Sequence, residues 1–371
     1  MSAVTDPAAI ERRVRRLRAA LAEPGVDLLL IDDSVDLRYL TGFTGSNGLA
    51  LVGAAAEGPL RFLTDFRYTA QSAREVGPAF ERETVTGDLY EALAGLLGEQ
   101  SGRLGFDEAK LTVRGHRRLS ELVGEGWELV SCAGLFEGLR AVKEPAEIGL
   151  IAAACELADE ALRATLEEGL VGRTERDVAF ELETRMRRLG AQQPSFPSIV
   201  AAGAHGALPH AQPRDIEIPA DVLVTIDWGA QLDGYCSDCT RTYATGEAIE
   251  ARAREVYELV LRAQLAGLEA VRAGQSGREV DAVARQLIED AGEGQNFGHG
   301  LGHGVGLEVH EAPRLSRTAA RDPLLDGNVV SVEPGVYLPG ALGVRIEDLV
   351  VVRSEGPEVL TRLPKELTVI A

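Results

Sequence analysis

Two segments of this chain each predict a β-hairpin with an acidic residue on both strands, and this repeated pattern constrains the fold most. In the first segment, Asp227 ends an apolar run, and Asp238 lies in a run that alternates polar and strand-forming residues. The residues between these runs, 231–234, are Gln-Leu-Asp-Gly and supply turn chemistry. A hairpin centred on Leu232 and Asp233 would place the two carboxylates directly opposite each other, with Cβ atoms about 5 Å apart.

The second segment repeats this construction near the carboxyl terminus. Residues 329–333 are typical of a buried strand that ends at Glu333, and residues 344–352 are typical of another strand that contains Glu347. The dipeptide Pro339-Gly340 lies midway between the two glutamates, where a turn is expected. Glu333 and Glu347 are therefore also predicted to be cross-strand neighbours.

The four carboxylates and His303 together predict a site for two divalent metal ions. Four carboxylates in one cleft would raise one another's pKa values unless cations neutralised their charges. His303, in Leu-Gly-His303-Gly-Val-Gly, adds an imidazole to this set. Oxygen donors with a single imidazole favour Mn²⁺, with Zn²⁺, Co²⁺ and Fe²⁺ as alternatives.

Each of these residues, taken alone, has a simpler interpretation. Asp238 could be a turn or strand-edge acid, Glu347 could pair with Arg345, and His303 could be a hydrogen-bonded core histidine. Two matching acid pairs on predicted hairpins, together with a histidine in a glycine-rich segment, favour the metal site over these separate roles.

Two other motifs suggest different function classes, and neither class is favoured. The Cys236-Ser-Asp-Cys239 pattern does not predict a redox or zinc site, because residues three apart on a strand point to opposite faces. The alternating glycines within 298–306 lack the spacing of a nucleotide-binding loop. They predict instead a strand that approaches the neighbouring backbone closely or forms a bulge next to the site.

Residues 140–371 resemble the metallopeptidase family with the pita-bread fold, which includes methionine aminopeptidase, prolidase and aminopeptidase P. The motifs that carry this resemblance are Thr-Ile-Asp227-Trp-Gly, Cys-Ser-Asp238-Cys-Thr, Leu-Gly-His303-Gly-Val-Gly, Ser-Val-Glu333-Pro-Gly and Arg-Ile-Glu347-Asp. The resemblance implies that Asp227 binds one metal ion, while His303 and Glu333 bind the other. It also implies that Asp238 and Glu347 bridge both ions, and that a water or hydroxide between them attacks an amide bond.

The same resemblance implies roles for four more residues. His210, in Ala-Leu-Pro-His210-Ala, and His310, in Leu-Glu-Val-His310-Glu, match family histidines that contact substrate and assist proton transfer. With Glu333 they are the predicted catalytic residues, although either histidine could instead order its loop. His299 and Arg345 are predicted to bind substrate, and a supporting contact or salt bridge explains both equally well.

The amino-terminal part alternates predicted strands and helices and resembles the creatinase-type domain that precedes the catalytic domain in aminopeptidase P and prolidase. Two segments carry this resemblance: Arg-Tyr-Leu-Thr-Gly-Phe-Thr-Gly-Ser-Asn-Gly at 38–48, and Thr-Asp-Phe-Arg-Tyr at 64–68. We therefore expect an α/β creatinase-like domain at 1–135, followed by an α+β pita-bread catalytic domain at 136–371.

One helix is predicted at the start of the amino-terminal domain and another at the start of the catalytic domain. Near the start of the chain, four apolar residues recur at helical spacing among arginines, which are expected to form the solvated face. These apolar residues are Ile10, Val14, Leu17 and Leu21. At the other end, Lys143-Glu-Pro145-Ala-Glu147 opens a predicted long helix, with the proline in its first turn.

Composition excludes several partners and locations. The formal net charge of −20 argues against a nucleic-acid partner, because such affinity comes mainly from Lys and Arg. No apolar run approaches the roughly 20 residues that cross a bilayer, so no membrane association is expected. Four cysteines without a disulfide framework or a secretory leader favour the cytoplasm.

Three functions follow as hypotheses. The first is a dinuclear-metal Xaa-Pro aminopeptidase that releases the first residue from small peptides with proline in the second position. The alternative is a prolidase that cleaves only Xaa-Pro dipeptides, and it would differ in what contacts the free carboxylate of the substrate. The third is a non-catalytic binding protein of the same fold. The resemblance also implies a homodimer.

Overall fold

A computed structural model describes residues 6–371 and divides the chain into two compact units. The first unit ends at Arg140, and the second runs from Ala141 to Ala371. No helix among the described residues is both long and apolar enough to cross a membrane.

The first unit is a six-stranded sheet covered by helices, so the predicted α/β architecture is confirmed. The strand order is β4-β3-β2-β1-β5-β6, in which β2 is antiparallel to its neighbours and the other pairs are parallel. Its elements are α1 (Pro7–Ala20), β1 (Leu28–Ile31), α2 (Ser34–Thr41), β2 (Gly48–Gly53), β3 (Leu60–Asp65), α3 (Thr69–Glu75), β4 (Glu81–Val85), α4 (Leu89–Leu97), β5 (Gly102–Phe106), α5 (Val113–Leu122), β6 (Trp127–Ser131) and α6 (Leu135–Ala141).

The first helix, α1, buries its predicted apolar face, but one of its arginines corrects the prediction of a solvated basic face. Arg13 is buried, with its guanidinium 4.4 Å from the ring centroid of Tyr39. Its Nη1 also donates to the carbonyl oxygen of Tyr39 at 2.8 Å. A planar guanidinium can stack on an aromatic ring while donating hydrogen bonds, which compensates for its burial.

The second unit consists of two halves, each with a helix pair followed by antiparallel strands, and this confirms the α+β class. In the first half, the elements are α7 (Pro145–Leu166), α8 (Glu175–Arg188), β7 (Gln193–Pro194), β8 (Ile199–Ala202), β9 (Leu223–Trp228), β10 (Ala230–Leu232), β11 (Tyr235–Cys236) and β12 (Cys239–Ala244). In the second half, they are α9 (Ala251–Ala270), α10 (Gly277–Asp290), β13 (Gly302–Gly304), β14 (Glu311–Leu315), β15 (Val329–Val332), β16 (Gly335–Leu338), β17 (Leu342–Arg345), β18 (Asp348–Val351) and β19 (Glu358–Val359).

Each half of the second unit has its own apolar core between helices and strands. In the first half, the indole of Trp228 on β9 is fully buried, and its Nε1 donates to the carbonyl oxygen of Ala158 on α7 at 2.9 Å. In the second half, Val260 on α9 belongs to the same core as Val330 on β15 and Val350 on β18. The strands that carry the acidic residues are therefore backed by close-packed apolar layers.

The first acidic hairpin differs from the predicted register. Asp227 on β9 lies opposite Thr240 on β12, whereas the prediction placed it opposite Asp238. The reason is the turn, where Asp233 and Gly234 both have positive φ, at 47° and 81°, as a two-residue hairpin turn of this hand requires. The shift is two residues along the partner strand, so Asp238 stays on the same face as a diagonal neighbour of Asp227.

The second acidic hairpin has the predicted register but is interrupted. Val332 pairs with Asp348, and Gly335 pairs with Arg345, so the shared register places Glu333 opposite Glu347. The predicted single strand at 344–352 is instead two strands, β17 and β18, which belong to different sheets. Glu347 lies at the junction where the chain passes from one sheet to the other.

Candidate metal centre

A cavity of about 760 Å³ in the second unit is lined by every residue that the sequence nominated for the site. They come from strand ends and loops of both halves of this unit. These nine residues are His210, Asp227, Asp238, His299, His303, His310, Glu333, Arg345 and Glu347.

Three of the four carboxylates converge closely. Asp227, Asp238 and Glu347 each offer one oxygen atom, and these oxygens lie within 4.8 Å of one another. His303 Nε2 lies 3.1 Å from Glu333 Oε1 and 3.7 Å from Asp238 Oδ2. Asp238 therefore lies between the two groups of donors, an arrangement that suits a ligand shared by two ions.

Backbone hydrogen bonds fix the two glutamates at the ends of their strands. The amide of Glu333 donates to the carbonyl oxygen of Leu301 at 2.8 Å, and the amide of Glu347 donates to that of Thr240 at 3.1 Å. The Thr240 hydroxyl also donates to Glu347 Oε2 at 2.8 Å. Each glutamate is thus tied to a strand or loop that carries another predicted ligand.

The glycines beside His303 allow its strand to enter a crowded space. A Cβ atom on Gly302 would lie 1.9 Å from the carbonyl oxygen of Ser331, and one on Gly304 would lie 2.1 Å from that of Ala312. Contacts this short do not occur in folded proteins, so only glycine fits at either position. The interpretation of the alternating glycines as sites of close backbone approach is confirmed here.

Two oxygen atoms in the cluster are suited to binding a cation. Asp227 Oδ1 and Glu347 Oε1 are buried and have no hydrogen-bond partner among residues 6–371. Burial first, and the nearby carboxylates second, raise the pKa values of Asp238 and Glu347 well above their usual range. Since a buried carboxylate without a partner is costly, this donor set fits divalent cations.

Glu333 differs from the other carboxylates. Burial acts to raise its pKa, but the hydrogen bond and charge of His303 outweigh that effect and lower the pKa to about 2. The Ser331 hydroxyl donates to Glu333 Oε1 at 3.1 Å. Glu333 is therefore ionised at neutral pH.

Arg345 is buried and directs its guanidinium to Asp227 rather than to Glu347. Its Nη2 donates to Asp227 Oδ2 at 2.6 Å, its Nε donates to the Thr240 hydroxyl at 3.0 Å, and its Nη1 donates to the Tyr337 hydroxyl at 2.7 Å. These contacts orient Asp227, while the predicted contact of Arg345 with substrate stays a prediction.

Tyr337 is a residue of this site that the sequence analysis missed. Its hydroxyl lies 2.9 Å from His299 Nε2 and accepts the hydrogen bond from Arg345, so it links these two predicted substrate-binding residues. Strand periodicity could have identified Tyr337. It lies four residues after Glu333, which is two strand periods, so both side chains point to the same face of an extended chain.

His310 and His210 also line the cavity, but they do not contact the carboxylate oxygens as closely as His303 does. The His310 ring is edge-to-face with His303 at a centroid distance of 4.2 Å. Desolvation, and then the neighbouring His303, lower the pKa of His310 to about 4, so its imidazole is neutral at physiological pH. His210 is exposed within the loop that follows β8.

The cavity also has an apolar wall and one further cation that the sequence analysis missed. Arg314, on β14, is exposed, and its guanidinium has no ion-pair partner among the described residues. Its position four residues after His310 is the signal that could have suggested it. The apolar side chains of the wall belong to Phe196, Pro197, Ile199, Pro209, Ala211, Pro213 and Val309.

Antiparallel sheets that bring four carboxylates and a histidine together define a metal-dependent hydrolase, and comparison with known proteins gives the family. Residues 149–354 match metallopeptidase family M24, and residues 13–142 match the creatinase/prolidase N-terminal domain. The first match covers more than half of the chain, so this protein belongs to metallopeptidase family M24.

Similar proteins align with nearly the whole chain. An Xaa-Pro dipeptidase of Pyrococcus furiosus is 34% identical, over 96% of this chain and 100% of its own length. The structure of an Xaa-Pro dipeptidase from Bacillus anthracis has a TM-score of 0.92 and 40% identity, with 97% of this chain and 99% of that chain covered. The structure of an X-Pro aminopeptidase from Thermotoga maritima has a TM-score of 0.87 and 35% identity, with 95% and 100% covered.

Proposed function

We propose that this protein is a metal-dependent Xaa-Pro dipeptidase. The observation that carries the proposal is one cavity that combines a carboxylate cluster fit for cations with Arg314, which is exposed and forms no ion pair with any residue in 6–371. A dipeptide has a free carboxylate close to its scissile bond, and a guanidinium recognises a carboxylate through paired hydrogen bonds. The similarity to two Xaa-Pro dipeptidases supports the dipeptidase hypothesis over the aminopeptidase hypothesis.

The five predicted ligands would hold two divalent ions, with Mn²⁺ as the favoured metal. Such ions, when bound, lower the pKa of water and polarise a carbonyl group. Arg345 engages one carboxylate oxygen of Asp227, Oδ2, while the other, Oδ1, is buried and accepts no hydrogen bond from the described residues. Glu333 is ionised because of its lowered pKa, so its carboxylate is available to bind a metal ion and to accept a hydrogen bond from the attacking water.

The other residues of the cavity act on the substrate. His310 is neutral, so it can hydrogen-bond the scissile carbonyl or pass a proton to the leaving nitrogen. His210 has the same chemistry from the neighbouring loop. Proline lacks a backbone N–H and presents an apolar ring, which the apolar wall around Ile199 can accept. The homodimer and the cytoplasmic location remain predictions from the sequence.

Replacing His310 with alanine should separate binding of metal from catalysis. We expect the metal content to stay near that of the unchanged protein, because the five predicted ligands are intact. We expect kcat to fall about 10²-fold, which is typical for loss of a residue that assists proton transfer. Metal analysis and steady-state kinetics on the same preparation check this, and near-normal kcat with saturating metal would show that His310 has no catalytic role.

The proposed specificity is tested with a matched pair of substrates, Ala-Pro and Ala-Pro-amide, which differ only in the terminal charge. Metal-stripped protein with added Mn²⁺ should cleave Ala-Pro and release alanine. Replacing Arg314 with alanine should raise KM for Ala-Pro by about 10-fold or more, because a charge-assisted hydrogen bond contributes roughly 1.5–3 kcal/mol. KM for the amide should change little.

The control for this measurement is the replacement of Arg317 with alanine. Arg317 lies three residues after Arg314 and is also exposed. Its guanidinium pairs with Glu289 at 3.8 Å, and it does not line the cavity. This replacement should leave KM unchanged for both Ala-Pro and Ala-Pro-amide. Efficient release of alanine from Ala-Pro-Ala by the unchanged protein would favour the aminopeptidase hypothesis, and no cleavage of any of the three peptides would overturn both.

A further inference from the structure

Glu175 is a buried carboxylate outside the predicted site that accepts an unusual number of hydrogen bonds. It is the first residue of α8, and its side chain is 1% exposed. Three residues donate to it, and the helix does not need these hydrogen bonds as a cap, because the hydroxyl of Thr174 already caps α8 by accepting from the amide of Asp177. The donors to the carboxylate are the amide of Ala202, the amide, Nε and Nη2 of Arg214, and His205 Nδ1, at 2.9–3.0 Å.

These hydrogen bonds enclose one loop. Ala202 is the last residue of β8, Arg214 follows eleven loop residues later, and His205 lies near the loop's start. Five consecutive residues of this loop, 209–213, line the cavity, and they include His210. A single carboxylate therefore holds together both ends of the loop that presents His210 to the candidate site.

The charge of Glu175 supports this arrangement. Burial acts to raise its pKa, but hydrogen bonds from Arg214 and Ala202 outweigh burial and lower the pKa. The carboxylate is therefore ionised, and each donor forms a charge-assisted hydrogen bond, which is about twice as strong as a neutral one. A glutamine at this position would present an NH₂ group to donors and could not accept from all of them.

The middle of the same loop is tied to the metal-site residues. The carbonyl oxygen of Pro209 accepts a hydrogen bond from Arg345 Nη1 at 3.3 Å, and Arg345 also orients Asp227. Gly206 packs so closely on β17 that a Cβ atom on Gly343 would lie 1.8 Å from its carbonyl oxygen. His210 is therefore held between two sets of contacts, those of Arg345 and β17 with the middle of the loop and those of Glu175 with its two ends.

We propose that Glu175 is a positioning residue for peptide hydrolysis, which acts by holding the 203–213 loop so that His210 faces the substrate. This inference rests on the proposed function for the reaction, but the position of the loop can be measured without any reaction. Glu175 does not line the cavity and donates or accepts no hydrogen bond with a predicted metal ligand among the described residues, so most of its effect on kcat should pass through His210.

Glu175→Gln tests this proposal by kinetics. We expect kcat for Ala-Pro to fall about 10–100-fold with unchanged metal content, since misplacement of a catalytic group by about 1 Å can cost 10²-fold. In a His210→Ala background, the same change should have little further effect. Val178→Ala, which removes a fully buried methyl pair from the same helix, is the matched control for lost helix packing, and its effect on kcat should be small in both backgrounds.

Hydrogen exchange of the metal-loaded protein gives the readout that does not depend on activity. Glu175→Gln should increase amide exchange within 203–213, whereas Val178→Ala should not. If the Gln variant does not fold, Arg214→Ala removes the bidentate partner at a half-buried position and is judged by the same criteria. Unchanged exchange in the loop overturns the proposal, as do additive kinetic effects of Glu175→Gln and His210→Ala.

A failure of the dipeptidase proposal can be distinguished from a failure of the Glu175 proposal. If the unchanged protein cleaves no Xaa-Pro peptide, the dipeptidase proposal is wrong, and loop exchange still decides whether Glu175 holds the loop. If the protein is active but His210→Ala has normal kcat, the dipeptidase proposal stands, and the role of Glu175 through His210 is overturned.

Discussion

Replacing Glu333 with alanine is expected to lower kcat/KM for Ala-Pro by at least about 10³-fold, because loss of metal-supplied charge stabilisation is worth several kcal/mol. Glu333 Oε1 lies 3.1 Å from His303 Nε2, so the two residues form one donor pair. The variant should also bind one equivalent of metal fewer than the unchanged protein. Steady-state kinetics with saturating Mn²⁺ and metal analysis after gel filtration provide the measurement.

The matched control for this variant is Glu358→Ala, which removes an exposed glutamate on β19. Its kinetics and metal content should be those of the unchanged protein. The predicted role of Glu333 would be wrong if its alanine variant retained near-normal turnover with saturating metal, or if it lost activity but kept both equivalents of metal.

Removing the metal should destabilise the second unit more at high pH than at low pH. In the metal-free protein, burial and neighbouring carboxylates raise the pKa values of Asp238 and Glu347 well above their ordinary 3.8 and 4.5. Each group then binds its proton more tightly in the folded state than in the unfolded state. That contribution to stability is fully present below the ordinary values and is lost as pH rises through the raised pKa values.

Divalent metal should cancel this loss, because it takes the place of the protons. Thermal unfolding with EDTA and with Mn²⁺, at pH 5 and at pH 8, should show a larger metal-induced rise in Tm at pH 8. An ion at 1,000 times its Kd adds about 4 kcal/mol. Asp36 and Asp159 also have raised pKa values, of about 7 and about 6, but they are present with and without metal and should cancel in the difference.

Asp238→Asn provides the control for this pH effect, since it removes one of the repelling charges while keeping the size of the side chain. Its metal-free form should lose less Tm between pH 5 and pH 8 than the unchanged protein does. A metal-induced rise in Tm that is equal at both pH values, or larger at pH 5, would show that the carboxylates do not repel one another in the metal-free fold.

The sequence predicted the residues of the candidate site better than it predicted how they are held. Strand periodicity and turn chemistry located the acidic residues, because alternation and turns act over a few neighbouring positions. The second hairpin register followed from the dipeptide Pro339-Gly340. The register of the first hairpin was not predicted correctly, because Asp233 and Gly234 adopt a turn whose centre depends on both having positive φ.

Contacts between distant segments lay beyond sequence analysis. The stacking of Arg13 on Tyr39 and the closure of a loop by Glu175 each join residues 26 or more positions apart. A periodic pattern shows which face of a helix is apolar, but it does not show which polar residue finds a partner across the fold. The break between β17 and β18 at Glu347 has a similar origin, since it depends on two sheets meeting there.

The crowding around Gly302 and Gly304 determines which parts of this protein could be redesigned. Any side chain at these two positions would collide with the backbone at Ser331 or Ala312, so the strand that carries His303 has no freedom to vary. On the apolar wall, Phe196 is only partly buried and Pro197 is exposed, so these side chains can change without such a collision. A combinatorial library intended to change which peptides the protein accepts should therefore vary the wall and keep the glycine-flanked strand as a constant part of the scaffold.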